Sequence, residues 1–117
     1  MAYQVEVSDE FRDWYEPLNE AEQESVGRVV GMLEERGPAL PFPYSSAIHG
    51  SNLTHLRELR IQHEGRPYRL LYAFDPRRTA YLLLGADKTG DGRWYEVHVP
   101  RAEAIYAAHL VNLEKGA

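Results

Sequence analysis

The chain contains no cysteine. That excludes a disulfide scaffold, thiol catalysis and thiolate metal sites, and it fits a reducing cytoplasm. No apolar run approaches the ~20 residues that span a bilayer. The start, MAYQVEVSDEF, has neither the basic nor the apolar part of a secretory leader, so a cytoplasmic protein without membrane attachment is expected. His49, His55, His63, His98 and His109 are scattered, without the paired spacing that puts two ligands on one helix face. No metal and no cofactor is therefore expected. GADKTGDG lacks the glycine, lysine and hydroxyl order of a phosphate-binding loop, and Ser45 and Ser46 have no acyl-transfer context around them. Internal repeats and low-complexity tracts are also missing.

What is present is ordinary in amount and uneven in place. The 117 residues are 44% hydrophobic and 26% charged, which predicts one folded domain over residues 1–117. The net charge of −5 hides an asymmetry. Residues 1–56 carry three Arg and ten Asp or Glu, whereas residues 57–101 carry eight Arg and one Lys against six acids. A polyanion would have to bind on the second of these regions.

The residue pattern predicts the elements. Tyr3 to Val7 alternates as a strand. Ser8 and Asp9 are natural caps for a short helix that shows Phe11, Trp14, Tyr15 and Leu18 on one face and is limited by Pro17. A second helix runs from about Glu20 to Arg36 on a Val26, Val29, Val30, Leu33 stripe, and Gly37 is a C-terminal cap candidate. Residues 38–55, rich in proline at their start, read as a loop. In HLRELRIQ, Leu59 and Ile61 point one way and Glu58, Arg60 and Gln62 the other. HEGRP is a turn. In YRLLYAFD, Tyr68, Leu70, Tyr72 and Phe74 share one face, and Arg69, Leu71 and Ala73 the other. TAYLLLGA is apolar on both faces, as an interior strand should be. A last helix is expected to start at Pro100, with Ala102, Ile105, Tyr106, His109, Leu110 and Leu113 as its apolar stripe. The order β-α-α-β-β-β-α gives an α+β fold: an antiparallel meander with helices packed on one face. The other face is expected to stay open, with Arg60 and Arg69 solvated on it.

The segments LRELR, YRLLYAFDPRRTAYLLLGADKTGDGRWYE and VPRAEAIYAAHLVNL resemble the RelE/ParE superfamily of type II toxin–antitoxin toxins, and within it the HigB-like, phage-derived branch. The likeness spans nearly the whole chain from FRDWYEPL onward. It implies a RelE-like fold, a cognate helix-turn-helix antitoxin as partner, and a metal-independent mRNA endonuclease acting on the ribosome. Such chemistry needs a 2′-hydroxyl held in line with its phosphate, cations to meet developing negative charge, and proton transfer. The residues available are Arg60 and Arg69 for phosphate, Lys88 for charge or a proton, and Tyr95 for proton transfer or stacking. Arg57, Arg93 and Trp94 are candidates for RNA contact, Trp94 by stacking. The same residues have plainer readings. Arg60 and Arg69 can pair across strands with Glu58, Lys88 can be a solvated turn lysine, Trp94 can be core, and Arg57, Arg77 and Arg78 can be surface charges or antitoxin contacts. His109 reads as a packed histidine. Two other functions remain open: a ParE-like toxin that poisons DNA gyrase without cutting nucleic acid, and an inactive module that only binds antitoxin.

Overall fold

The computed structural model describes residues 2–116. In chain order the elements are β1 (Val5–Val7), α1 (Asp9–Tyr15), α2 (Glu20–Arg36), a 3-10 turn (Gly37–Ala39), β2 (Ser45–Ala47), β3 (Arg57–His63), β4 (Arg66–Phe74), β5 (Ala80–Asp87) and α3 (Trp94–Gly116). The strands form one sheet in the order β1-β5-β4-β3-β2. β1 runs parallel to β5, and every other pair is antiparallel.

Local chemistry sets the boundaries. The Ser8 hydroxyl accepts the Phe11 N–H at 2.9 Å, which caps α1, and donates to the Leu83 carbonyl at 2.5 Å, which ties that cap to β5. Asn19 and Glu22 form a reciprocal capping box at the start of α2. Gly37 closes α2 at φ +56°, a left-handed conformation that glycine adopts without strain. A Cβ there would also run into the Tyr3 ring.

Two cores flank the sheet, as its strand patterns require. On one face, Phe11, Val26, Val29 and Leu33 from α1 and α2 pack on Leu59, Ile61, Leu70, Tyr72 and Leu82. On the other, Trp94, Val99, Ala102 and Tyr106 of α3 pack on Leu71, Ala73 and Leu83, with Leu56 beside them. The assignment of alternate residues to faces follows the sequence pattern throughout β3 and β4.

Three features differ from the sequence expectation. The stretch 38–55 contains a short edge strand, β2, which pairs with Arg57, Glu58 and Leu59. The last helix starts at Trp94 rather than Pro100, because Asp91 accepts the Arg93 N–H at 3.0 Å and begins the turn early, while Trp94 anchors it in the core. The second face is therefore not open: α3 covers it, and a charged strip on β3 and β4 lies past the start of that helix.

Gly85 lies opposite Leu70 in the sheet, and a Cβ there would stand 2.5 Å from the Trp14 ring. Gly85→Ala should therefore destabilise the fold by about 1–3 kcal/mol through overpacking. Gly92→Ala, at a position with open space, should stay within about 0.5 kcal/mol. Unfolding midpoints in urea for the two variants check this; equal midpoints would mean that α1 does not press on β5.

A buried acid fastens α3 to the turn between β4 and β5. The Asp75 side chain is wholly inaccessible and His109 nearly so. Asp75 accepts His109 Nε2 at 2.9 Å and Arg77 Nη2 at 2.7 Å, with the Arg77 backbone N–H at 2.8 Å. The His109 ring lies flat against Tyr81, with centroids 3.5 Å apart, so this histidine is a packed one. Burial pushes the Asp75 carboxyl up, but the donors from Arg77, His109 and the backbone outweigh it and hold it below its ordinary value. A depressed folded-state value stabilises above the unfolded value, and that stability is lost as pH falls through the folded one. Melting temperature should thus fall on acidification below about pH 4, with Glu22, Asp87 and Glu103 adding the same sign. Asp75→Asn should flatten part of that slope. A slope unchanged in the variant would show that Asp75 does not contribute to it.

Candidate active site

Arg60 of β3 and Arg69 of β4 are direct cross-strand partners. Two like charges in that register repel unless an anion stands between them. Glu58, two residues before Arg60 and on the same face, supplies it. Its Oε2 lies 3.4 Å from Arg60 Nη1, and its Oε1 lies 3.6 Å from Arg69 Nε. Neighbouring elements complete the shell. Ser46 of β2 donates to Oε2 at 2.7 Å, and Tyr95 in the first turn of α3 donates to Oε1 at 2.6 Å. Lys88, just past β5, places its ammonium 5.6 Å from the centre of the Tyr95 ring.

Glu58 is 4% exposed and Arg69 7%. Arg69, expected to be solvated, is not: its guanidinium is held under the surface, donating through Nη1 to the Tyr68 carbonyl at 3.1 Å. Its Nε has no hydrogen-bond partner in the protein. A buried donor left unspent beside a carboxylate is a feature of sites more than of scaffolds. Burial pushes the Tyr95 phenol up, the Glu58 carboxylate pushes it the same way, and Arg69 opposes them without reversing the shift. Tyr95 is thus a neutral donor at physiological pH. Glu58 and Tyr95 together line a cavity of about 300 Å³, with Ala47, Ile48 and His49 as its other walls.

Four of the residues singled out in the sequence therefore converge: Arg60, Arg69, Lys88 and Tyr95. The other three do not. Arg57 lies on the opposite face of β3, where its Nε donates to Ser45 Oγ at 3.1 Å. Trp94 is 1% exposed and stacks on His98, so it offers no free ring face. Arg93 is solvent-exposed and paired with Glu96 at 2.9 Å. Among the histidines, His63 is buried and bonded to Ser25, and His55 meets the Tyr106 hydroxyl. The structure adds one candidate that the sequence offers only as a cross-strand partner, Glu58, at the centre of these contacts. An acid on the same strand face as two facing arginines was the signal for it. No group of three or more His, Asp or Glu side chains able to hold a metal occurs among the described residues, and none of their helices is long and apolar enough to cross a membrane.

Cations gathered around a carboxylate–phenol pair suit polyanion chemistry, and comparison with known proteins gives the chain as a whole a family. Residues 13–107 match the family described as Phage derived protein Gp49-like (DUF891). A protein of Mycobacterium tuberculosis named as a candidate toxin, HigB2, is 36% identical over 103 residues, covering 86% of this chain and 51% of that protein. A second candidate toxin from the same organism, HigB3, is 40% identical over 91 residues, covering 77% of this chain and 78% of that one. The chain thus spans about half the length of the first relative and most of the second. Among solved structures, an arginine-to-alanine double mutant of the E. coli toxin RelE in its free state superposes with a TM-score of 0.58 at 14% identity, over 82% of this chain and 94% of that one. The archaeal RelE–RelB complex from Pyrococcus horikoshii gives 0.56 at 16% identity, over 77% and 99%. At such identities these two structures speak for the fold alone. The chain belongs to the phage-derived Gp49-like family, as a HigB-like member with the RelE fold.

Proposed function

We propose that this protein is the toxin of a type II toxin–antitoxin pair, and that it inhibits translation by cutting mRNA on the ribosome, in the cytoplasm. The names of its HigB relatives support the first part. The observation that carries the second is the Glu58–Tyr95 hydrogen bond on the wall of a cavity, with Arg60 and Arg69 beside the carboxylate and Lys88 beside the phenol ring. In this reading the 2′-hydroxyl of one nucleotide attacks its own 3′-phosphorus. The 2′ proton passes to the Glu58 carboxylate, whose orientation Tyr95 and Ser46 fix. Arg60 and Arg69 meet the charge that builds on the phosphoryl oxygens, which is where preformed cations act most strongly. The bond to the 5′-oxygen breaks, and Lys88 is placed to supply that oxygen's proton. The products are a 2′,3′-cyclic phosphate and a 5′-hydroxyl. Partly buried groups without an exposed acid–base pair need a substrate delivered in position, and the ribosome is the proposed means of delivery.

The proposed partner is a helix-turn-helix antitoxin that masks the cationic strip; RelE stands with RelB in the archaeal complex. The test is induction of the protein in cells, with transcript ends mapped and DNA supercoiling followed in parallel. New 5′ ends within translated transcripts and unaltered supercoiling are expected. Growth arrest with intact transcripts and gyrase inhibition would replace this reading with a ParE-like one.

A further inference from the structure

With Trp94 buried, the RNA reading lacks the stacking surface that recognition of a single strand calls for. The structure holds another aromatic beside the same arginines. Phe42, in the proline-rich loop before β2, is 69% exposed, more than any other large hydrophobic side chain described. The Arg60 guanidinium sits over its ring, 5.3 Å from the centroid. Next to it a cleft of about 390 Å³ opens between α2 and β3, with Tyr44, Arg28, Arg60 and Arg69 among its walls. Tyr44 is itself 40% exposed. No acidic side chain lines the cleft. It therefore presents arginines and the accessible Tyr44 ring, with the Phe42 ring beside Arg60 just outside its walls, and it shares Arg60 and Arg69 with the Glu58 site.

We infer that this cleft is a nucleotide subsite that holds single-stranded RNA next to the point of cutting, with a base on Phe42 and a phosphate on Arg28. The inference rests on the RNA reading above and extends it. Arginine charge alone would suit any anion, an acidic peptide included. The exposed ring tips the choice, since a peptide carboxylate gains nothing from Phe42, whereas a base gains a stacking partner. Arg60 connects the two regions: it touches Glu58 on one side and covers Phe42 on the other. A strand lying in the cleft is thereby led into the Glu58–Tyr95 cavity.

The test uses the full chain and a short fluorescent single-stranded oligoribonucleotide, 2′-O-methylated throughout so that it cannot be cut. Binding is read by anisotropy against salt concentration. Phe42→Ala should weaken binding about tenfold, with Phe42→Tyr close to wild type, as stacking requires. Arg28→Ala should weaken it and lower the salt slope by about 0.7, the value of one phosphate contact on a single strand. Arg78→Ala, in the turn between β4 and β5, should change nothing. Both Phe42 and Arg28 are exposed, so their truncation leaves folding intact. Equal affinity of wild type, Phe42→Ala and Arg28→Ala overturns the inference. So does duplex RNA binding as well as single-stranded RNA, because stacked bases cannot reach Phe42. Displacement by poly-glutamate that depends on Phe42 as strongly as RNA does would assign the cleft to an acidic peptide. These results separate from the cleavage reading. Phe42-dependent binding in a protein that cuts no transcript keeps the subsite and removes the nuclease, and cleavage without it does the reverse.

Discussion

Glu58→Ala is expected to destabilise the protein by about 3–5 kcal/mol, the usual consequence of removing one partner from a buried charge pair. The carboxylate is nearly inaccessible and separates two guanidinium groups in direct cross-strand register. Without it, Arg69 keeps a buried charge with no counterion, and Arg60 repels it across the ladder. Arg60 is a third exposed, so solvent screens its share, and the greater part of the loss should come through Arg69. This makes a second result predictable. In an Arg69→Met background, Glu58→Ala should be much milder, because the buried cation is already gone. Urea unfolding of the four proteins in this cycle measures the coupling. A loss below about 1 kcal/mol for Glu58→Ala alone, or two fully additive losses, would mean that the carboxylate does not hold the arginines together.

Tyr95→Phe is expected to lower the rate of RNA cutting by about a hundredfold while leaving the fold intact. The substitution removes one oxygen and keeps the ring that packs against Trp94. The lost hydrogen bond to the Glu58 carboxylate is worth about 1.5–3 kcal/mol of stability. Its expected effect on rate is larger because the phenol fixes the carboxylate proposed to take the proton, and losing one such oriented donor removes about 10²–10³ in rate. Lys88→Ala should have a similar effect on rate with little on melting, since that side chain is only partly buried. Arg69→Ala is a poorer probe, because its buried guanidinium is needed for folding as well. Transcript cleavage rates and melting curves for Tyr95→Phe and Lys88→Ala check the claim. Full activity in both would leave the cavity without a catalytic role.

Much of this fold was legible in the sequence because period-two alternation is unambiguous when both faces of a strand are distinct. In β4, Tyr68, Leu70 and Tyr72 could only face one core and Leu71 and Ala73 the other, and they do. The bounds of α2 were equally plain, since Gly37 ends a valine and leucine stripe. What failed to show depends on tertiary context. Three residues, Ser45–Ala47, carry too little pattern to announce β2, which exists because β3 offers it an edge. Pro100 is a natural helix start, yet Trp94 has a core to fill and draws nearly two more turns into the helix. The same packing explains the site. Chemical type alone marks Arg60, Arg69, Lys88 and Tyr95 as candidates, and the fold brings them together, whereas Glu58 becomes a candidate only once Ser46 and Tyr95 are seen to aim at it. Phe42 sat in a loop where sequence gives no direction to a side chain.

The most direct test of the account is the chemistry at the scissile phosphate. A ribosome-bound mRNA is mixed with the purified protein, and the cut position is mapped; the mRNA is then remade with a single 2′-deoxy nucleotide on the 5′ side of that position. The account predicts a 2′,3′-cyclic phosphate product from the first mRNA and no cutting at the substituted position of the second. Cutting at an undiminished rate next to the 2′-deoxy nucleotide would contradict it, because the attacking hydroxyl would then have to come from water rather than from the RNA oriented over Glu58.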